Sequence, residues 1–271
     1  MEISDVFRNL RGEGRAAIMA HLYFGDPTEE FSISLAKTLE ESGADILEIG
    51  IPFSDPIADG PTFISACERA LKAGITPRKC LDGIKKLREI GVEAPIIVTT
   101  YYNIPFTYGV GKFVRDVKNA GAQGIIVPDL PVEEAGEMMR EAKDSGVDMI
   151  FLVAPTTSED RMRKIVQSSS GFVYVVNVEG VTGGRDVLPA STVELIKRVK
   201  GISQKPVMAG FGISRDEQVR ALVSAGADGV IIGSSIAEIY SRRLEKPEST
   251  LPEIREFLKK IEAACFRQNR Q

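Results

Sequence analysis

The chain has 271 residues, 43% of them hydrophobic, enough to build the core of one large domain or two small ones. Its 34 Lys and Arg against 38 Asp and Glu leave a net charge of −4 with no long run of either sign. That balance argues against nucleic-acid and membrane-surface binding, which need a basic patch. No apolar run reaches the ~18 residues of a membrane span, and the N-terminus has no charged-then-apolar leader. The three cysteines, Cys67, Cys80 and Cys265, form no CxxC pair. A cytoplasmic protein with free thiols packed in its core is expected.

In chain order, a short helix (3–10) precedes eight candidate strands at 16–24, 45–51, 95–101, 123–128, 148–154, 172–177, 205–210 and 228–232. A helix at 250–266 closes the chain. One pattern recurs in "ESGADILEIGI", "NAGAQGIIVPDL", "DSGVDMIFLVAP" and "SAGADGVIIGSS": a helix ends at Gly, and a β-branched run follows. Gly supplies the left-handed cap, and the apolar run suits a strand buried on both faces. Amphipathic stretches lie between, such as "TVELIKRVK", in which Val193, Ile196 and Val199 share one face. Repeated βα units predict a parallel sheet, and eight of them in about 250 residues predict a (β/α)8 TIM barrel. An open doubly wound sheet is the alternative, but "YFGDPTEE" after the first strand is not its GxGxxG turn. No linker cuts the chain, so 1–271 reads as a single domain.

In such a barrel the site lies at the C-terminal ends of the strands. The stretch "LEIGIPFSDPIADGPT" (47–62) ends one of them. Alternation turns Leu47, Ile49 and Ile51 towards the helix layer, and Glu48 and Gly50 into the barrel. An enclosed carboxyl suits general acid or base work near neutrality; the competing reading is a glutamate satisfied by a neighbouring Tyr or backbone donor. Asp59, in the following loop, is either functional or an Asx turn before Gly60, and Asp129 in "VPDLP" reads as a turn. Two glycine-rich stretches, "AGFGIS" (209–214) and "IIGSSI" (231–236), close the last two strands. Each is expected to offer backbone N–H groups at a helix start, the usual phosphate site of this fold, with Gly212, Gly233 and Ser234 as donors. Between them and the sixth strand, "VEGVTGGRDVLP" (178–189) reads as a lid carrying Gly180, Gly183 and Gly184, or as a plain surface loop. No metal site is expected.

The motifs "LEIGIPFSDPIADGPT", "IIVPDLP", "IFLVAPTTSEDR", "SGFVYVV", "GVTGGR", "FGIS" and "GADGVIIGS" resemble, in order and spacing, the tryptophan synthase alpha subunit family. The resemblance covers about residues 16–240. It implies a carbon-carbon lyase that cleaves indole-3-glycerol phosphate by a retro-aldol reaction, in tryptophan biosynthesis. It also implies no cofactor in this chain, and a beta subunit partner that carries pyridoxal phosphate in an alpha2beta2 heterotetramer. By position, Glu48 matches the family's proton-transfer group and Asp59 the carboxylate that holds the indole N–H. Tyr174 matches a tyrosine beside the substrate, and Thr182 the lid residue that bonds Asp59. Gly183, Gly212, Gly233 and Ser234 match the phosphate donors, and Phe211 of "FGIS" joins the substrate-binding set.

The chain departs from the family pattern at His21, where an aromatic is usual, in "TTYYNIPF", where the Asn-Pro-Ile order is reversed, and at Val178, in place of an arginine. His21, the sole histidine, is placed to line the indole pocket, either as a flat aromatic-sized filler or with a chemical role. The loop 52–60 is expected to expose Pro52, Phe53, Pro56 and Ile57 to a partner. A lyase acting alone and a silent phosphate-binding barrel are the competing functions.

Overall fold

The computed structural model describes residues 1–176, 190–210 and 212–267. Its strands are β1 (Ala17–Tyr23), β2 (Ile46–Gly50), β3 (Ile96–Thr99), β4 (Gly124–Ile126), β5 (Asp148–Ile150), β6 (Leu152–Val153), β7 (Val173–Val176), β8 (Val207–Gly210) and β9 (Gly229–Ile232). Every pairing between these strands is parallel, in the order β5-β4-β3-β2-β1-β9-β8-β7-β6. The two ends of that order are halves of one predicted strand, separated by Phe151 alone. The sheet therefore closes on itself as the expected barrel, and the open doubly wound alternative is excluded.

The single strand expected at 148–154 is thus corrected to two. The physical reason lies in Ser169 and Ser170. Met149 N–H donates to Ser170 Oγ at 2.8 Å and Phe151 N–H to Ser169 Oγ at 3.3 Å. Side-chain hydroxyls take amides that a regular ladder would give to carbonyls. β5 then continues the sheet towards β4, and β6 continues it towards β7.

Helix ends follow the glycine pattern. Gly121 caps the helix Val110–Ala120 at φ 96°, and Gly146 caps Gly136–Ser145 at φ 64°, a region that L side chains seldom adopt. Outward strand residues such as Ile18, Leu47, Ile49 and Val98 pack under the helix layer. Inward ones such as Met19, Ile46, Ile97, Ile126 and Met208 form a second cluster inside the barrel. The N-terminal helix Ile3–Glu13 joins that inner cluster through Ile3, Val6, Phe7 and Leu10, with Phe7 edge-on to Phe172 at 6.1 Å. It stops the N-terminal end of the barrel, so the open end is the one where the strands finish. The closing helix runs Leu251–Cys265, and the three cysteines are buried free thiols. No helix among the described residues is long and apolar enough to cross a membrane.

One buried ion pair fixes the frame around that open end. Arg69 Nε and Nη2 lie 2.6 and 2.9 Å from the two oxygens of Asp26, and Tyr240 O–H donates to the same carboxylate at 2.6 Å. Asp26 is 1% exposed. The pair ties the turn after β1 to the helices Pro61–Lys72 and Ser234–Ser241. Removing one partner strands a buried charge. Arg69→Met should therefore lower stability to denaturant by about 3–5 kcal/mol; a midpoint unchanged from the wild type would contradict this account.

Candidate active site

The parallel register of β1 on β2 sets His21 directly beside Glu48, and Tyr23 beside Gly50. Period-two alternation turns all four into the barrel above the apolar plug. Glu48 is 1% exposed. Its Oε1 accepts from Thr99 Oγ1 at 2.5 Å and lies 3.1 Å from His21 Nδ1. Its Oε2 is buried and has no hydrogen-bond partner among the described residues. The competing reading of a satisfied structural glutamate therefore fits one oxygen and not the other. A buried carboxylate oxygen left bare is costly, and such a cost is characteristic of a place where a ligand completes the set.

Asp59 comes to the same mouth on the loop after β2. Both phenols, Tyr23 and Tyr101, donate to its Oδ2, at 2.6 and 2.7 Å. Tyr101 also accepts from Ala58 N–H at 3.0 Å, so one hydroxyl fixes the loop and the carboxylate together. Burial raises the Asp59 pKa above the usual aspartate value, the two phenols and His21 oppose that, and Glu48 adds to it. Asp59 is held by side chains from β1 and from the segment after β3, rather than by its own backbone. It also forms part of the wall of a cavity of about 660 Å³, with Leu130, Phe151, Thr157 and Val176.

His21 is stacked on Phe63, with ring centroids 4.7 Å apart and planes 26° apart. Burial pulls its imidazole pKa down, but the charge and hydrogen bond of Glu48 and the charge of Asp59 leave it raised overall. The ring of His21 thus both stacks on an aromatic neighbour and contacts the Glu48 carboxylate. Tyr174, on β7, occupies space left by Gly210, where a Cβ would come within 2.8 Å of the phenol ring and hydroxyl. Burial raises that phenol well above its ordinary value, with Glu48 and Asp59 adding to the effect.

The two glycine-rich stretches meet at the same end of the barrel. Ser235 O–H donates to Ile213 O at 2.6 Å, joining them. Gly233 precedes the helix Ser234–Ser241 directly. In the other stretch the helix starts only at Asp216, and Gln218 Oε1 accepts from Ser214 and Arg215 N–H at 2.9 and 3.1 Å. The expectation that "AGFGIS" itself opens a helix is corrected: the helix begins beyond it, the amides of Ser214 and Arg215 are already used, and Gly212, at φ 61°, precedes them. Phe211 and the whole expected lid at 178–189, with Val178, Thr182 and Gly183, lie outside the described residues.

Two other expectations change. Pro52 and Pro56 are buried and Phe53 is half-buried, stacked on Tyr101 at 5.4 Å, so of the four apolar loop residues only Ile57 is strongly exposed. The turn packs its prolines inward because Tyr101 anchors it. Asp129 accepts from Tyr102 N–H at 2.9 Å, bridging to the neighbouring loop instead of closing its own turn. The sequence reading missed Thr99, Tyr23, Tyr101 and Phe63. Inward alternation in "AIMAHLY" pointed to Tyr23 beside His21, whereas nothing local marks Thr99 or Tyr101. Among the described residues, no group of three or more His, Cys, Asp or Glu is placed to hold a metal ion.

Known proteins resemble this chain over nearly its whole length. Residues 7–266 match the family model described as tryptophan synthase alpha chain. The tryptophan synthase alpha chain of Methanothermobacter thermautotrophicus is 46% identical over 264 residues, 97% of this chain and 96% of that one. The solved Mycobacterium tuberculosis tryptophan synthase superposes with a TM-score of 0.89 at 35% identity, covering 98% of each chain. The Pyrococcus furiosus tryptophan synthase complex gives a TM-score of 0.84 at 34% identity, over 91% of this chain and 98% of its counterpart. The chain belongs to the tryptophan synthase alpha chain family.

Proposed function

We propose that this chain is the alpha subunit of tryptophan synthase and cleaves indole-3-glycerol phosphate to indole and glyceraldehyde 3-phosphate. The observation that carries the reaction is Glu48, enclosed at the barrel mouth with Oε1 saturated and Oε2 bare. In this reading Glu48 moves one proton: it leaves the glycerol hydroxyl next to the ring and arrives at indole C3. Protonation at C3 puts positive charge on the ring nitrogen. The bond from C3 to the glycerol carbon then breaks, its electron pair returns to the ring, and the oxygen that lost its proton becomes the aldehyde carbonyl. Asp59 accepts from the indole N–H and balances the transient cation. Tyr174 and His21 border the substrate. Gly212, Gly233 and Ser234 bind the phosphate by backbone N–H groups, since neither "AGFGIS" nor "IIGSSI" contains Lys or Arg. A beta subunit carrying pyridoxal phosphate takes the indole. The surface that suits it is the open end of the barrel, where Ile57, on the loop after β2, and Phe106, on the short helix Asn103–Tyr108 after β3, are 82% and 68% exposed.

Steady-state indole release, with and without a beta subunit, tests this reading. Glu48→Gln should lose about 10²–10⁴-fold in kcat, the scale of a general acid–base group, while substrate still binds. Turnover within about threefold of wild type, far below that scale, would remove Glu48 from the mechanism. An unphosphorylated indole glycerol should bind much more weakly than the phosphate ester; equal binding would overturn the phosphate site.

Acid sensitivity gives a further check. Asp59 works as a carboxylate, so activity should fall as pH drops through its raised pKa. Tyr101→Phe removes a donor that favours the ionised form. The acid limb of the kcat profile should then move to higher pH, and a limb that stayed in place would show that Asp59 does not set it.

A further inference from the structure

The side chain at position 21 contacts a carboxylate as well as an aromatic ring. The imidazole Nδ1 and the Thr99 hydroxyl converge on a single oxygen, Oε1, at 3.1 and 2.5 Å. The other oxygen of the same carboxylate is buried and without a partner among the described residues, and so is His21 Nε2. The ring itself has little freedom. Phe63 stacks on one face, and Gly50 and Gly233 come so close that a Cβ at either would lie 3.0 Å from the imidazole Nε2 or Cβ.

We infer that His21 is a positioning residue for Glu48: by holding Oε1 together with Thr99, it fixes which oxygen faces the substrate. This rests on the reading of Glu48 as the proton-transfer group. Among the described residues, the titratable groups around the imidazole are the carboxyls of Glu48 and Asp59 and the phenols of Tyr23, Tyr101 and Tyr174. Burial raises all three phenols, which therefore stay neutral around pH 7. The pH response of the imidazole near neutrality is thus set by the two carboxylates. Burial lowers its pKa, and their charge more than offsets that.

The chain has one histidine, so its imidazole resonance can be followed by NMR in the untagged full chain without assignment. In Glu48→Gln the titration midpoint should fall, because the opposing carboxylate charge is gone; a midpoint that did not move would overturn the pairing. In the complex with the beta subunit, His21→Phe should lower kcat about 10- to 100-fold, the scale of one lost charge-assisted hydrogen bond, with little change in KM. His21→Asn, which keeps an N–H donor near the Nδ1 position without a titrating charge, should recover much of that loss. It should also lack any inflection of kcat at the pH where the wild-type imidazole titrates. Far-UV circular dichroism of both variants controls for folding. If His21→Phe keeps kcat within about twofold of wild type, well inside that hydrogen-bond scale, while Glu48→Gln is inactive, His21 is filler and this inference alone fails. If Glu48→Gln turns over normally, the role of Glu48 fails, and the positioning role falls with it.

Discussion

The site depends on keeping an ionisable carboxyl inside an apolar barrel. Left alone, Glu48 would be too costly to bury, because water at the mouth cannot replace the hydration it loses. The neighbouring strands offset part of that cost. β1 brings His21 and β3 brings Thr99, both to the same oxygen. The arrangement is asymmetric, and the asymmetry gives it use: the supported oxygen sets the orientation of the group, while the bare one remains available. Symmetric support of both oxygens would make the group more comfortable and less reactive.

The remaining architecture serves that placement. The N-terminal helix stops one end of the barrel and leaves the other for chemistry. Gly50, Gly210 and Gly233 lack side chains where Tyr23, Tyr174, Phe63 and His21 need room. The Asp26–Arg69–Tyr240 network fixes the helix that carries Phe63 against the imidazole. Tyr101 then sets the second carboxylate by anchoring its loop through both Asp59 and Ala58. The two carboxylates thus stand on different supports. Glu48 is held by strands, whereas Asp59 is held by phenols that reach into a loop.

Much of this was legible in the chain itself. The recurring helix–Gly–strand step predicted the parallel barrel, and alternation alone turned Glu48 inward. What sequence could not show was register. His21 and Glu48 lie 27 residues apart and become neighbours only through the parallel pairing of β1 with β2. Thr99 and Tyr101 enter the site in the same non-local way. The break at Phe151 depends on two serine hydroxyls from the segment before β7. Pro52 and Pro56 were misplaced because loop composition suggests exposure, while a distant tyrosine decides how the loop packs. The family resemblance supplied the roles of the residues, and local geometry supplied the support that those roles require.

The most direct measurement is a crystal structure of Glu48→Gln with uncleaved indole-3-glycerol phosphate bound. The account predicts that indole C3 and the adjacent glycerol hydroxyl face the position-48 side chain, with the hydroxyl within about 2.6–3.2 Å of it. It also predicts the indole N–H on Asp59 and the phosphate against Gly233 and Ser234. A substrate bound with its C3 turned away from position 48, or with its ring outside the reach of Asp59, would contradict it.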